Sequence, residues 1–82
     1  MTSLQNMKLT EADYTSLSES MGSKKTLEMI KKVGFEPTVY FLVAKMRRIF
    51  IQRPSAELRY QLNIHRSTEW KYRKKLKDNN FL

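Results

Sequence analysis

The sequence has no cysteine, only two glycines and two prolines, and a single histidine. Without cysteine, the chain cannot form disulfides, use thiol catalysis or bind a metal through thiolates. The scarcity of glycine and proline, together with the lack of strong strand alternation, favours helices over strands. The sequence therefore predicts an all-α fold, a small domain of four to five helices.

Long apolar runs and targeting segments are missing as well. The longest apolar run, from Val39 to Ala44, is far shorter than the roughly 20 residues that span a bilayer. Residues 1–10 lack the basic stretch and apolar run of a secretory signal. We therefore expect a cytoplasmic protein that makes no membrane contact.

Residues typical of catalysis do not form a recognisable set. The chain has no glycine-rich phosphate loop and no pair of carboxylates in a site context. Its histidine, His65, lies near Ser67, but two such residues are far from a catalytic triad. A metal at His65 would need acidic ligands that this basic region lacks. The sequence predicts neither an enzyme nor a bound metal or cofactor.

Positive charge is what the chain has in excess. The formal net charge is +8, and it is uneven, because residues 23–82 carry fifteen cations against five acids while residues 1–22 carry one against three. Coulomb attraction and counterion release draw such a surface to polyanions, of which nucleic acid is the commonest. A soluble surface with surplus lysine is the alternative interpretation.

Residues 1–9 show no periodicity and are expected to form a flexible N-terminus, followed by a single helical domain over residues 10–82. Residues 10–13 approximate a capping box, which predicts a first helix that stops at Gly22. Its apolar stripe would consist of Tyr14, Leu17 and Met21, and its acidic outer face would lie away from a polyanion.

A second helix is predicted from Lys24 to Val33, with Ser23 as its N-cap and Gly34 as its end. Its predicted apolar stripe consists of Leu27, Ile30 and Val33 or Met29. Its lysines are typical of a solvated face, although a phosphate role is the alternative.

Residues 37–52 form the most apolar segment. Its apolar residues follow helical spacing through Phe50, whereas residues 38–43 alone could also suit a strand. The spacing predicts the central helix of the core. Tyr40 and Phe41 widen its apolar surface, so we expect them to contact a second subunit, unless the first two helices cover both sides.

Residues 54–79 predict two short helices joined by a tight turn, the layout of a helix-turn-helix. Pro54 suits the first turn of one helix, which would end near Asn63 in a left-handed conformation, so that Ile64 turns inward. Ser67 is expected to be the N-cap of the second helix, and it can contact a phosphate from the same helix end at the same time.

The sequence here resembles the helix-turn-helix core of bacterial and phage winged-helix regulators, over residues 57–82. Asn63 replaces the usual turn glycine, Glu69 stands where such regulators bury a small β-branched residue, and we expect no β-hairpin wing after the second helix. The resemblance implies a wingless helix-turn-helix that binds double-stranded DNA. The residues that carry it are Glu57-Leu58, Leu62-Asn63-Ile64, Arg66-Ser67-Thr68, Tyr72, Leu76 and Phe81-Leu82.

The second of these helices would be the recognition helix. With Tyr72 and Leu76 facing inward, positions 67, 70, 71, 74 and 78 point outward. Its N-terminal part would approach base edges, and Arg66 suits a bidentate contact with guanine. The base-contact candidates are His65, Arg66, Ser67, Thr68 and Lys71. The phosphate-contact candidates are Arg53, Arg59, Lys74, Lys75 and Lys77.

Trp70 allows more than one prediction. Tryptophan is unusual on a wet basic face, so it is expected to pack into the core against the third helix, with Glu69 turned outward. Otherwise Trp70 is a dimer-interface residue, or a platform on which a base or sugar stacks.

These patterns predict a sequence-specific DNA-binding protein, a small transcription regulator that acts as a homodimer and is nucleoid-associated when bound. Such a regulator occupies an operator or helps RNA polymerase. Two alternatives remain open: an inhibitor or adaptor that binds an acidic protein of a nucleic-acid machine, and a helical RNA-binding module.

Overall fold

The computed structural model describes Ser16, Leu17, Glu19, Ser20 and residues 22–82. The predicted flexible segment 1–9 and the capping box at 10–13 lie outside the described residues, as do Tyr14 and Met21 of the predicted first helix. The described residues of that helix are helical, and Leu17 is buried in the core.

The described residues are helices joined by turns, with no strand among them, which confirms the all-α prediction. The strand alternative for residues 38–43 is thereby wrong. No helix within these residues combines the length and the apolar content needed to cross a bilayer. The helices are α1 (Lys24–Val33), α2 (Phe35–Met46), α3 (Ala56–Leu62) and α4 (Arg66–Asp78).

Helix α1 has the predicted bounds. The Ser23 side chain caps it by accepting a hydrogen bond from the Thr26 N–H at 3.1 Å. Gly34 ends it with φ 93° and ψ 170°, a conformation that favours glycine, and α2 begins at the next residue. The predicted stripe is wrong at Leu27, which is 52% exposed. The buried positions are Thr26, Met29 and Val33.

Thr26 can occupy the inward face because its hydroxyl is satisfied locally. It accepts a hydrogen bond from the Ser23 hydroxyl at 2.8 Å, so its burial leaves no polar group without a partner. Leu27 follows one residue later, about 100° further around the helix, and therefore turns outward.

Helix α2 is central, as predicted, since it contacts α1, α3 and α4. It is shorter than predicted, however, and ends at Met46 rather than at Gln52. Arg48 takes the left-handed conformation with φ 56°, and the Ile49 N–H turns back to the Ala44 carbonyl at 2.8 Å. The chain then leaves the helix axis, and Phe50, predicted to be in the core, is 67% exposed.

Helices α3 and α4 end in the same way as α2. In each case a left-handed residue is followed by an apolar residue whose N–H bonds back to a carbonyl five positions earlier, the pattern of a Schellman motif. The left-handed residues are Arg48, Asn63 and Asn80, and the apolar residues that then pack against the core are Ile49, Ile64 and Phe81. The predicted left-handed end at Asn63 and the inward turn of Ile64 are thereby confirmed.

The core lies where α2 meets the other helices. Tyr40 is fully buried in it, and its ring lies 6.0 Å from that of Tyr72 between centroids. The prediction that Tyr40 contacts a second subunit is therefore wrong, whereas Phe41 is only half-buried. The buried apolar residues are Leu17, Met29, Val33, Val39, Tyr40, Val43, Ala44, Leu58, Leu62 and Leu76.

Candidate nucleic-acid interface

Helices α3 and α4 are joined by a turn of three residues, 63–65. Helix α3 begins at Ala56 rather than at Pro54, because Ser55 is the N-cap and its side chain accepts the Leu58 N–H at 3.3 Å. The left-handed Asn63 closes α3 and redirects the chain. This short connection brings the start of α4 next to the end of α3.

The N-cap of α4 is His65, not Ser67 as predicted. The His65 ring nitrogen Nδ1 accepts the Ser67 N–H at 3.1 Å and lies 2.9 Å from the Ser67 hydroxyl. Helix α4 therefore begins at Arg66, and both Arg66 and Ser67 belong to its exposed first turn. Because Nδ1 accepts the backbone N–H, the other ring nitrogen, Nε2, is the one available to an outside group.

The orientation of α4 about its axis agrees with the prediction. Leu76 is fully buried and Tyr72 is half-buried. The residues expected to point outward are all exposed, namely Ser67, Trp70, Lys71, Lys74 and Asp78. The expectation that Trp70 packs in the core with Glu69 outside is wrong, since Trp70 is 61% exposed and Glu69 is 0% exposed.

The Glu69 carboxylate is buried among hydrogen-bond donors from three parts of the chain. Its Oε2 atom accepts the Tyr40 hydroxyl at 2.8 Å and the Ser55 N–H at 2.9 Å. Its Oε1 atom accepts the Arg59 guanidinium at 2.5 Å. Each carboxylate oxygen thus has a donor, which is what a buried charge requires.

Arg73 extends this cluster on α4. Its Nη1 atom donates to the Ile51 carbonyl at 2.6 Å and to the Tyr40 hydroxyl at 3.3 Å. The cluster, which we call the Glu69 network, therefore ties α4 to α2, to α3 and to the loop between them. It consists of Tyr40, Ile51, Ser55, Arg59, Glu69 and Arg73.

The network sets the ionisation of its two acidic members. Burial opposes the charge on Glu69, but the hydrogen bonds from Ser55, Arg59 and Tyr40 outweigh it and hold the pKa of Glu69 below its ordinary value. Burial raises the pKa of Tyr40 to about 12, helped by Glu69 and opposed by the Arg73 hydrogen bond. At neutral pH, Glu69 is ionised and Tyr40 is a neutral donor.

This arrangement changes the predicted interface in two ways. Arg59 was a phosphate-contact candidate, but its guanidinium is paired with Glu69 and its side chain is only 26% exposed, so we remove it from that set. Glu69 is withdrawn from the surface, so Asp78 is the only exposed acid of α4. The outward face of α4 is therefore cationic from Arg66 to Lys77.

The other predicted contact residues lie along this helix or beside it. The base-contact candidates are contiguous at the start of α4, where His65, Arg66, Ser67 and Lys71 are exposed and Thr68 is half-buried. The phosphate-contact candidates Lys74, Lys75 and Lys77 are exposed further along α4, and Arg53 is exposed in the loop before α3.

A concave surface next to these residues was not predicted. It has a volume of about 720 Å³ and is lined by α4 from Trp70 to Asp78, by residues just before α3 and by Leu82. We call it the Trp70 groove. Its lining includes Pro54, Trp70, Lys71, Lys74, Lys77 and Leu82.

The inward position of Glu69 could have been predicted from its spacing. Glu69 precedes the buried Leu76 by seven residues, two helical turns, so both lie on one face. Arg73 lies between them on that face. By contrast, nothing in the sequence spacing reveals the Trp70 groove, because it depends on how α4 packs beside the residues that precede α3.

Comparisons with protein-family models, with curated proteins and with solved structures find no match to this chain.

Proposed function

We propose that the protein binds double-stranded DNA through α4 and acts as a small transcription regulator. The observation that carries the proposal is the withdrawal of Glu69 into the core, which leaves the outward face of α4 with cations and only Asp78 as an exposed acid. A helix with such a face suits the phosphate-lined major groove of DNA.

The α3–turn–α4 segment supports a helix-turn-helix mode of binding, in which the second helix enters the major groove. The exposed first turn of α4 would then approach base edges. Arg66 can make two hydrogen bonds to guanine, and Lys71 lies further along the exposed face. The same end of the helix carries smaller hydrogen-bonding groups that could also contact bases, namely Ser67, Thr68 and the Nε2 atom of His65.

A second set of cations would hold the DNA backbone without reading its sequence. Lys74, Lys75 and Lys77 are exposed on α4, and Arg53 precedes α3. These residues supply affinity, while the first turn of α4 supplies sequence choice.

We further propose that two copies bind one operator, each reading half of an inverted repeat, because one short recognition helix reads few base pairs. With Tyr40 buried, the half-buried Phe41 is the contact candidate that we retain, because the exposed Trp70 lines the groove described above. In this role the protein is cytoplasmic and nucleoid-associated, and acts by blocking RNA polymerase or by assisting it.

The test is selection from a pool of random duplex DNA, repeated at two salt concentrations. We expect one inverted-repeat motif to be enriched. Arg66→Ala should abolish the motif, because the guanine contact is lost. Lys75→Ala should weaken binding without changing the motif, because a phosphate contact carries no sequence information.

The matched control is Lys31→Ala, which removes an exposed lysine of α1 outside the proposed interface and should leave affinity and motif unchanged. If the selection yields no motif and binding disappears at moderate salt, the duplex-reading proposal is wrong. Stronger binding to structured RNA than to any duplex would overturn it in favour of an RNA partner.

A further inference from the structure

The Trp70 groove places an exposed aromatic ring beside several cations. Trp70 is 61% exposed, although tryptophan usually buries most of its surface. Pro54 and Leu82 contribute further apolar surface to the same groove. An indole ring held open to solvent in a concave surface offers a flat face to a flat ligand.

The charge of the groove indicates an anionic ligand. Lys71, Lys74 and Lys77 line it together with Arg73, and among the residues that the structure describes Asp78 is the only acid in this lining. Arg73 is held in place by its hydrogen bond to the Ile51 carbonyl at 2.6 Å. The groove thus combines an exposed aromatic ring with surrounding cations, of which Arg73 is held in position by a hydrogen bond.

We propose that the Trp70 groove binds an unpaired stretch of DNA, with a base stacked on Trp70 and its phosphates beside the lysines. Single-stranded nucleic acid is recognised by this combination, a cationic groove that follows the backbone and an aromatic side chain that stacks on a base. The inference rests on the proposed function, which identifies DNA as the ligand. It adds that the Trp70 groove binds DNA in its unpaired form.

The groove adjoins the proposed duplex-reading surface. Trp70 lies one helical turn after Arg66, so the two side chains project from neighbouring positions on the same exposed face. An unpaired strand in the groove would therefore continue from a duplex at the start of α4. The preferred ligand is a junction between double-stranded and single-stranded DNA, such as an opened or tailed duplex.

A peptide is the competing occupant, since an acidic segment would also neutralise the lysines. A nucleotide strand accounts for both features of the groove, because every base has a flat face for the indole and every nucleotide carries a phosphate. An acidic peptide accounts for the cations but leaves the open aromatic face without a specific partner.

Trp70 is the only tryptophan of the chain, so its fluorescence reports directly on the groove. The protein would be titrated with a blunt duplex carrying the selected motif, and with the same duplex extended by an unpaired tail of about eight thymidines. We expect the tailed duplex to bind about tenfold more tightly and to quench the fluorescence, because the base stacks on the indole.

Two substitutions separate the groove from the rest of α4. Trp70→Ala should remove the advantage of the tail and leave blunt-duplex affinity within about twofold, since stacking is lost but the duplex contacts remain. Lys77→Ala should weaken both DNAs, because Lys77 is also a proposed duplex phosphate contact, and should weaken the tailed duplex more. Lys75→Ala is the matched control, because this exposed lysine does not line the groove and should weaken both DNAs equally.

The outcomes distinguish this inference from the proposed function. Equal affinity for blunt and tailed duplexes, with no quenching by the tail, overturns the inference and leaves duplex binding intact. Failure to bind any DNA overturns both. If an oligoglutamate peptide quenches Trp70 and the thymidine tail does not, the groove takes an acidic protein segment and the inference is wrong.

Discussion

At the residue scale, the Glu69 carboxylate shows how a charge is accommodated in a small core. Taking a carboxylate out of water costs several kcal/mol, and this cost is offset only where donors surround it. Tyr40, Ser55 and Arg59 provide these donors. Removing the carboxylate alone takes away the acceptor that these three donors share.

Glu69→Gln should therefore destabilise the fold. The glutamine amide would place its own donors against those of Tyr40, Ser55 and Arg59, so we expect a loss of about 3 kcal/mol. Urea unfolding monitored by circular dichroism would measure the loss. The matched control is Glu57→Gln on the exposed face of α3, which should change stability by less than about 0.5 kcal/mol. Equal effects at the two positions would show that the network contributes nothing specific.

The stability of the protein should fall in acid because of Glu69. Its pKa is lower in the folded chain than the ordinary value of 4.5, so the unfolded chain binds the proton more readily. The contribution is fully present above about pH 4.5 and is lost as the pH falls through the folded-state pKa. We expect the stability difference between the wild type and Glu69→Gln to shrink below that pH. A difference that stays constant to pH 2 would contradict this account.

In alkali the relevant group is Tyr40, whose folded-state pKa of about 12 exceeds the ordinary value of 10.0. Its contribution is fully present below pH 10.0 and is lost as the pH rises towards 12. In Tyr40→Phe the free energy of unfolding should therefore depend less on pH in this range. Urea titrations at a series of pH values would measure it. If the free energies of unfolding of the wild type and Tyr40→Phe fall in parallel over this pH range, ionisation of Tyr40 does not control alkaline unfolding.

At the scale of the elements, the ends of α2, α3 and α4 are set by three left-handed residues. Because asparagine tolerates this conformation, Asn63 predicts the end of α3 from the sequence alone. Arg48 carries no such signal. The apolar spacing that continues through Phe50 predicted a longer α2, whereas the helix ends where Ile49 turns back to cover the core.

Arg48→Gly should stabilise the protein by about 1 kcal/mol, because glycine adopts φ 56° without the steric cost that arginine bears. The measurement is the midpoint of urea unfolding at an unchanged slope. Asn63→Gly should give a smaller gain, since asparagine already tolerates the conformation. Arg48→Gln controls for the lost charge and should give no gain. A stabilised Arg48→Gln would attribute the effect to charge instead of backbone strain.

The N-cap of α4 shows a second limit of prediction at this scale. Ser67 has the residue type typical of an N-cap, yet His65 fulfils the role, because the Schellman end of α3 leaves room for only one residue between Ile64 and the first helical position. The sequence predicts that two helices meet here. The place where α3 ends decides which residue caps the second helix.

At the scale of the whole molecule, a single core of buried residues supports a surface whose positive charge is concentrated in residues 23–82. This concentration and the all-α architecture could be predicted from the sequence. The hydrogen bonds that hold Glu69 in the core could not, because their donors come from α2, α3 and the loop between them, whereas the spacing within α4 indicates only which way Glu69 and Trp70 point.

Binding to duplex DNA should show a steep salt dependence. If Arg53, Lys74, Lys75 and Lys77 neutralise four phosphates, the logarithm of the binding constant should fall with a slope of roughly −4 against the logarithm of salt concentration. Fluorescence anisotropy with a labelled duplex would measure the slope. Lys75→Ala should reduce its magnitude by about one, whereas Lys31→Ala should leave it unchanged. A slope near zero would rule out phosphate contacts as the source of affinity.

The Glu69 network divides α4 into two sets of positions that can change independently. The inward set, with Glu69, Arg73 and Leu76, is committed to partners on other helices and can vary only together with them. The outward set, which includes Arg66, Ser67 and Lys71, is exposed and does not form part of the Glu69 network. Libraries randomised at the outward positions alone should therefore retain the fold, so the helix is a scaffold on which new ligand preferences can be selected.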